Sequence, residues 1–195
     1  MGKAQIKLTK LQTTELPSDI KFEGKIKNAV KWKDNLGDNI VITSETGKYP
    51  SKGNESEDDF LDAELFAFHF LILKNNSKQT WKVHDFIKDC PVDIEASFIK
   101  NTFQITDLNK DGIAEIWLMY KTACHGDVSP CDMKIIMYQG NQKYAMRGQN
   151  KVKVSEKEFD GGNYKFDQAF TNGPTEFLDF AKKMWNKNIM QVWGE

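Results

Sequence analysis

The run Asp107-Leu108-Asn109-Lys110-Asp111-Gly112-Ile113-Ala114-Glu115 carries side-chain oxygens at alternate positions, Asp107, Asn109 and Asp111, and adds a carboxylate at Glu115. Alternation of this kind gathers oxygens when the chain bends, and Gly112 permits a sharp bend because it lacks a Cβ. Ile113 can add its backbone carbonyl. Such a set suits a hard divalent cation, since calcium takes about six to eight oxygen ligands at about 2.3–2.6 Å. A cation would also offset the repulsion among the carboxylates. The expected ligands are therefore Asp107, Asn109, Asp111, Ile113 and Glu115 around Ca²⁺. Because the loop fills its own ligand positions, the ion's expected role is structural. Asx hydrogen bonds alone could hold the same turn without metal.

The loop needs elements on both sides to hold its bend. Phe103-Gln104-Ile105 before it and Ile116 to Tyr120 after it read as strands. An EF-hand requires flanking helices and an acid at its twelfth position, where this chain has Leu118; that reading is excluded. Elsewhere, Leu65 to Leu73 is a dense apolar run ended by Lys74-Asn75-Asn76-Ser77, and Trp81 to Lys88 alternates as its return strand. Phe98 to Thr106 reads as one imperfect strand. Ala114 to Thr122 follows, then a hairpin of Met133 to Tyr138 with Lys143 to Met146 across Gly140-Asn141. Short strands also fit Lys3 to Gly47, and residues 48–62, with Glu55, Glu57, Asp58 and Asp59, read as an acidic solvated loop. Beyond Asn172-Gly173-Pro174 the period changes. Thr175 is the expected N-cap and Glu176 suits the first turn. Phe177, Leu178, Ala181, Met184 and Trp185 then recur at helical spacing across residues 175–187.

The run from Ile105 to Leu118 resembles the repeat unit of FG-GAP/VCBS-type β-propeller proteins, in which a strand enters a D-x-[DN]-x-D-G-x-x-[DE] calcium loop and leaves as a second strand. The resemblance implies side-chain ligation by Asp107, Asn109, Asp111 and Glu115, and carbonyl ligation by Ile113. Trp32 to Ile42 repeats the turn-then-strand shape. There Leu36 stands at the second oxygen position and no acid follows Asp38 at the required distance, so the turn from Asp34 to Asn39 is expected to bind no metal. A full propeller would need many more blades. The expected fold is thus mainly β (α+β): a single domain over 1–195 of antiparallel hairpins, with a propeller-blade-like calcium loop and a C-terminal α-helix. Lys88-Asp89-Cys90-Pro91 and the stretch from Cys124 to Pro130 also resemble a family of exported, surface-polysaccharide-associated proteins of Bacteroidota, a label that implies no established activity.

Composition narrows the class of function. The 195 residues suffice for one domain with a real core. Lys and Arg number 27 against 28 Asp and Glu, and Arg147 is the sole arginine, which argues against a nucleic-acid partner. No apolar run is long enough for a transmembrane segment. Met1-Gly2-Lys3 opens onto a polar stretch without an apolar leader core, which reads either as the start left after a secretory leader is removed or as a plain cytosolic start. Extracellular calcium modules bind at roughly 0.1–1 mM, far above cytosolic free calcium, so a periplasmic, cell-surface or secreted address is expected.

Three cysteines, Cys90, Cys124 and Cys131, are too few for a disulfide scaffold. Cys124 and Cys131 flank a short stretch containing Gly126 and Pro130, so local closure is easy. Cys90 and Cys124 each follow an expected strand, and their bridge would close a longer loop. The residues leave both pairings open; the family resemblance implies Cys90 with Cys124 and leaves Cys131 free. A zinc set of Cys90, Cys124, His125 and Cys131 fits no standard spacing. No complete catalytic motif is present. A catalytic alternative would use Cys124 or Cys131 as nucleophile and His84, His125 and Asp127 as base and orienter, although adjacent Cys124 and His125 point to opposite faces of an extended chain. His69 is expected to be a hydrogen-bonded strand residue and His84 solvent-facing. The expected function is an exported cell-envelope binding or structural protein, with a surface glycan or an envelope protein as partner. A hydrolase or transferase of surface carbohydrate acting through the Cys124 to Pro130 loop is the alternative. Trp81, Trp117 and Trp193 could rim a glycan site, but each reads as core.

Overall fold

The computed structural model describes residues 6–52 and 60–191. Alternating apolar positions and short polar turns build two antiparallel sheets. The first is a meander of β1 (Thr9–Lys10), β2 (Lys25–Asp34), β3 (Gly37–Pro50), β4 (Leu61–Ile72) and β5 (Ser77–Cys90), in that spatial order. The second takes β6 (Ile94–Phe98), β7 (Gln104–Thr106), β8 (Glu115–Cys124), β9 (Asp132–Gln139) and β10 (Gln142–Gln149). A separate ribbon pairs β11 (Lys151–Lys153) with β12 (Phe159–Gly161), after which β13 (Tyr164–Phe166) returns to the second sheet. That sheet runs β13-β10-β9-β8-β6, with β7 also paired to β8. Helices α1 (Gln168–Asn172) and α2 (Thr175–Asn188) follow. The fold is mainly β with a short C-terminal helix, and the described residues form no closed barrel. Among the described residues, no helix is long and apolar enough to cross a membrane.

The apolar runs are dense because their strands are covered on both faces. On β8, Ile116, Leu118 and Tyr120 meet the first sheet, packing with Trp32, Val41, Leu65, Trp81 and Val83. The alternate residues Trp117 and Met119 meet Phe177, Ala181, Met184 and Trp185 of α2. On β4, Leu65 and Ala67 face the sandwich interior, while Phe66, Phe68 and Phe70 face Leu11, Leu16, Ile20 and Phe22 of the N-terminal segment. Helix, sheet, sheet and N-terminal strap therefore bury three apolar layers, which is why a period-2 signal is hard to see in LFAFHFLIL.

Several boundaries differ from the sequence expectation. Residues 98–106 do not form one strand: β6 ends at Phe98, a turn passes through Asn101 at φ +61, and β7 starts at Gln104. The turn is held by Ile99 N–H on the Met119 carbonyl at 2.9 Å and by the Thr102 hydroxyl on the Ile99 carbonyl at 2.6 Å. The expected loop over 48–62 is shorter at both ends, because Lys48–Pro50 and Leu61–Asp62 pair within β3 and β4. Its acidic residues Glu55, Glu57, Asp58 and Asp59 lie outside the described residues, as do Met1-Gly2-Lys3 and Trp193. Pro174, not Thr175, is the N-cap of α2, and Thr175 is already helical. The helix extends to Asn188. Short α1 was not expected; Asp167 caps it by accepting from Phe170 N–H at 2.9 Å.

His69 lies buried on β4, with Nδ1 2.6 Å from the Thr80 hydroxyl and Nε2 3.1 Å from Asn39 Oδ1. Burial lowers its pKa to about 4, against a smaller opposing pull from Asp34, so the ring is neutral near pH 7. Trp81 and Trp117 are core residues, as read from the sequence.

A disulfide joins Cys90, at the end of β5, to Cys124, at the end of β8, and so ties the two sheets together. Cys124 shares the parity of Leu118 and Tyr120, which face the other sheet, whereas Cys131 shares that of Met133 and Ile135, which face the helices. A Cys124–Cys131 bridge would have to cross the sheet. The disulfide also removes both sulfurs from any zinc set. With a sequence separation of 34, the bridge is expected to add about 3–4 kcal/mol on the chain-entropy model. The Cys90→Ser/Cys124→Ser protein should lose about that much in urea denaturation, and an unchanged midpoint would refute this role.

Candidate functional site

The loop from Asp107 to Ala114 joins β7 to β8, and Thr106 pairs with Glu115 across its mouth. Lys110 and Gly112 adopt left-handed backbone, φ +60 and φ +81, which turns the chain back on itself. The side-chain oxygens of Asp107, Asn109 and Asp111 bond within this turn, with one further contact to Gln139 at the end of β9. Asp107 accepts from Gly112 N–H at 3.2 Å, Asn109 Oδ1 from Asp111 N–H at 3.2 Å, and Asp111 Oδ1 from Ile113 N–H at 2.8 Å. Asp111 Oδ2 accepts from the Asn109 amide and from Gln139 Nε2, each at 2.9 Å.

Glu115 is the buried member, with its side chain turned beneath the loop. It is 0% exposed and accepts from the Thr106 hydroxyl at 2.7 Å and from Leu108 N–H at 2.9 Å. Burial raises its pKa, and the charges of Asp107 and Asp111 raise it further, against those two hydrogen bonds. The donor set therefore matches calcium in kind: carboxylates, an amide oxygen and a turn carbonyl. The spacing is looser than a coordination shell, for among the described residues no three or more His, Cys, Asp or Glu side chains are grouped to hold an ion. Binding would require these side chains to draw closer together around the ion; each keeps lone pairs beyond the hydrogen bonds above.

The residues that sequence reasoning missed lie in the turn between β2 and β3. Asp34 accepts from Trp32 Nε1 at 2.9 Å, Leu36 N–H at 2.8 Å, Asn39 Nδ2 at 3.0 Å and, across the sandwich, Ala114 N–H at 3.1 Å. Asn35 donates its N–H to the Gly112 carbonyl and its amide to the Asp111 carbonyl, both at 2.8 Å. The turn from Asp34 to Asn39, a weak second copy by sequence, is the dock on which the acidic loop rests. Its resemblance to the loop was the only available signal, and that signal pointed to shape and not to contact.

At the other end of β8, His125 Nε2 lies 3.7 Å from Cys131 Sγ, and His125 Nδ1 lies 3.0 Å from the Asp127 carbonyl and 3.6 Å from its carboxylate. The structure thus brings Cys131, His125 and Asp127 together, ties the sulfur of neighbouring Cys124 up in the disulfide, and leaves His84 elsewhere. Cys131 is buried, which raises its pKa and keeps the thiol protonated. His84 is half-exposed and bonds to Glu64 at 2.6 Å on the far side of the first sheet.

No family model matches the chain, and no curated protein or solved structure matches it. The likeness to FG-GAP/VCBS-type repeats rests on the residues of 105–118 themselves.

A Cβ at position 112 would be placed against the Asn35 amide on a left-handed backbone. Gly112→Ala should therefore destabilise the protein by about 2 kcal/mol or more. In an Asn35→Ala background the steric part disappears and the penalty should shrink, a coupling readable from a urea double-mutant cycle. Equal penalties in both backgrounds would show that the docking contact does not exist in solution.

Proposed function

We propose that the chain is an exported cell-envelope binding or structural module whose loop from Asp107 to Glu115 takes up calcium. The observation that supports this most is Glu115: a fully buried carboxylate whose proton affinity is raised by burial and by two neighbouring aspartates. Bound calcium would supply the positive charge that lets all three carboxylates remain ionised together. Asp107, Asn109, Asp111, the Ile113 carbonyl and Glu115 would hold it. The dock at Asp34 and Asn35 would keep the loop backbone in place. A loop of this kind fills at extracellular calcium and not at cytosolic levels, which favours a periplasmic, surface or secreted address. A surface glycan or an envelope protein is the proposed partner.

Thermal unfolding in excess calcium against chelator tests the reading. With ion at about a hundred times Kd, the midpoint should rise by about 5–10 °C. Asp111→Ala should abolish the rise. The shift should also shrink as pH falls, because ligands must be deprotonated to bind and Glu115 holds its proton to higher pH than an ordinary carboxylate. Superimposable curves with calcium and chelator would overturn the proposal.

A second reading, a hydrolase or transferase of surface carbohydrate, is favoured by the Cys131–His125–Asp127 geometry. Against it, a nucleophile needs thiolate and access, and Cys131 is buried with a raised pKa. Iodoacetamide at neutral pH should alkylate Cys131 slowly in the folded protein and quickly in urea. Rapid modification of the folded protein, lost in His125→Ala, would favour the enzyme.

A further inference from the structure

The outer face of the first sheet is only partly covered. Leu11, Leu16, Ile20 and Phe22 of the N-terminal strap pack on Phe66, Phe68 and Phe70. Beyond them the sheet continues as a strip of aromatic and polar side chains. Phe66 stacks on His84 at 4.5 Å between ring centroids, and His84 lies 5.2 Å from Phe86, which is 48% exposed. Glu64 is the cross-strand neighbour of Phe86. Lys88 lies between two rings, 5.4 Å from the Tyr49 centroid and 5.9 Å from that of Phe86. Beside this strip a depression of about 460 Å³ is lined by Tyr49, Lys52, Asp62, Glu64, Lys88 and Asp89.

Hydrogen-bond capacity defines what this depression can take. The Lys88 ammonium has three protons. They are directed to Tyr49 Oη at 2.9 Å, Asp62 Oδ2 at 3.0 Å and Glu64 Oε1 at 2.8 Å. None remains for an incoming anion, and three carboxylates against two lysines make the depression unwelcoming to phosphate or sulfate. Each carboxylate offers about four lone-pair positions. Glu64 accepts from Tyr49, His84 and Lys88, and Asp62 from Ser51, Lys88 and Asp89 N–H, so each retains acceptor capacity. The network also holds these acceptors in fixed positions, so little ordering remains for a ligand to impose. What is left is fixed acceptors beside an exposed aromatic ring. The complementary ligand donates hydrogen bonds from one edge and presents an apolar C–H face to the ring.

We infer that the Tyr49, Glu64 and Phe86 face binds a neutral sugar residue, its hydroxyls on the Glu64 carboxylate, which buried Asp62 helps to hold through Lys88, and its C–H face on Phe86. This deepens the binding-module reading by naming the ligand class and its place. It does not depend on the calcium loop, which belongs to the opposite sheet.

Titration calorimetry with maltohexaose, cellohexaose, mannohexaose and chitohexaose tests it, with inorganic phosphate as the anionic probe. At least one of the sugars should bind the native protein, and Phe86→Ala should weaken that binding by about tenfold or more. Phe86→Tyr, which keeps the ring, should retain it. Val154→Ala, at an exposed apolar residue just past β11 and outside every candidate site, should change nothing. Circular dichroism of each variant separates loss of contact from loss of fold. The titrations are run in chelator as well as calcium, so a flat thermal shift with sugar binding intact defeats only the calcium reading. The inference is overturned if no sugar binds up to about 10 mM, if Phe86→Ala binds like the native protein, or if phosphate competes for the site.

Discussion

The Asp34 carboxylate is the junction on which the loop end of the molecule depends. It accepts hydrogen bonds from Trp32 Nε1, Leu36 N–H, Asn39 Nδ2 and Ala114 N–H. Those four donors match the lone-pair positions of a carboxylate, so the group is saturated. Three of them close the hairpin between β2 and β3, and the fourth reaches the other sheet at the exit of the acidic loop. Loss of this group would release four donors at once. Through Asn39 the same junction touches His69, whose neutral ring continues the polar chain to Thr80. A polar network running into an otherwise apolar sandwich is stable because each member has a partner, and it fixes how one sheet registers on the other.

The second constraint is geometric. β8 is apolar on both faces because it lies between the first sheet and helix α2. The two candidate sites lie at its ends: the acidic loop enters at Glu115, and Cys124 and His125 leave at the far end. Packing along its length holds these ends apart and in fixed orientation, and the disulfide to Cys90 anchors the second end to β5. Buried Glu115 is thus set by core packing as much as by its own loop. Burying that carboxylate costs free energy, which its hydrogen bonds to Thr106 and Leu108 offset only in part, as its raised pKa records. The outer face of the first sheet shows the contrasting arrangement. There burial pushes the Glu64 pKa up, but hydrogen bonds from Lys88, Tyr49 and His84 outweigh burial and hold it at about 2. Two glutamates with opposite environments mark opposite kinds of chemistry on the two sheets.

Much of the β architecture was legible because its signals are local. Lys74-Asn75-Asn76-Ser77 and Gly140-Asn141 end apolar runs with residues that tolerate turns, and hairpins stand at both places. The helical spacing of Phe177, Ala181, Met184 and Trp185 likewise marks the residues that α2 buries. Local signals failed where a partner from elsewhere decided the outcome. Residues 98–106 look like one strand, but Ile99 and Thr102 bond to Met119 and to each other's backbone, which divides the segment. Lys48 and Leu61 look like loop ends, but each pairs across β3 and β4 beyond the turn residues.

By itself the sequence determined the oxygen-bearing turn, its flanking strands, the absence of an EF-hand frame and the helical tail, because each is a matter of residue type and spacing within one segment. Only the tertiary structure decided that the turn from Asp34 to Asn39 supports the acidic loop, that Cys131 meets His125, and that Tyr49, Glu64 and Phe86 share a face. Each of those joins residues from different segments, and spacing along a chain carries no information about which strands become neighbours until the apolar layers have closed around them.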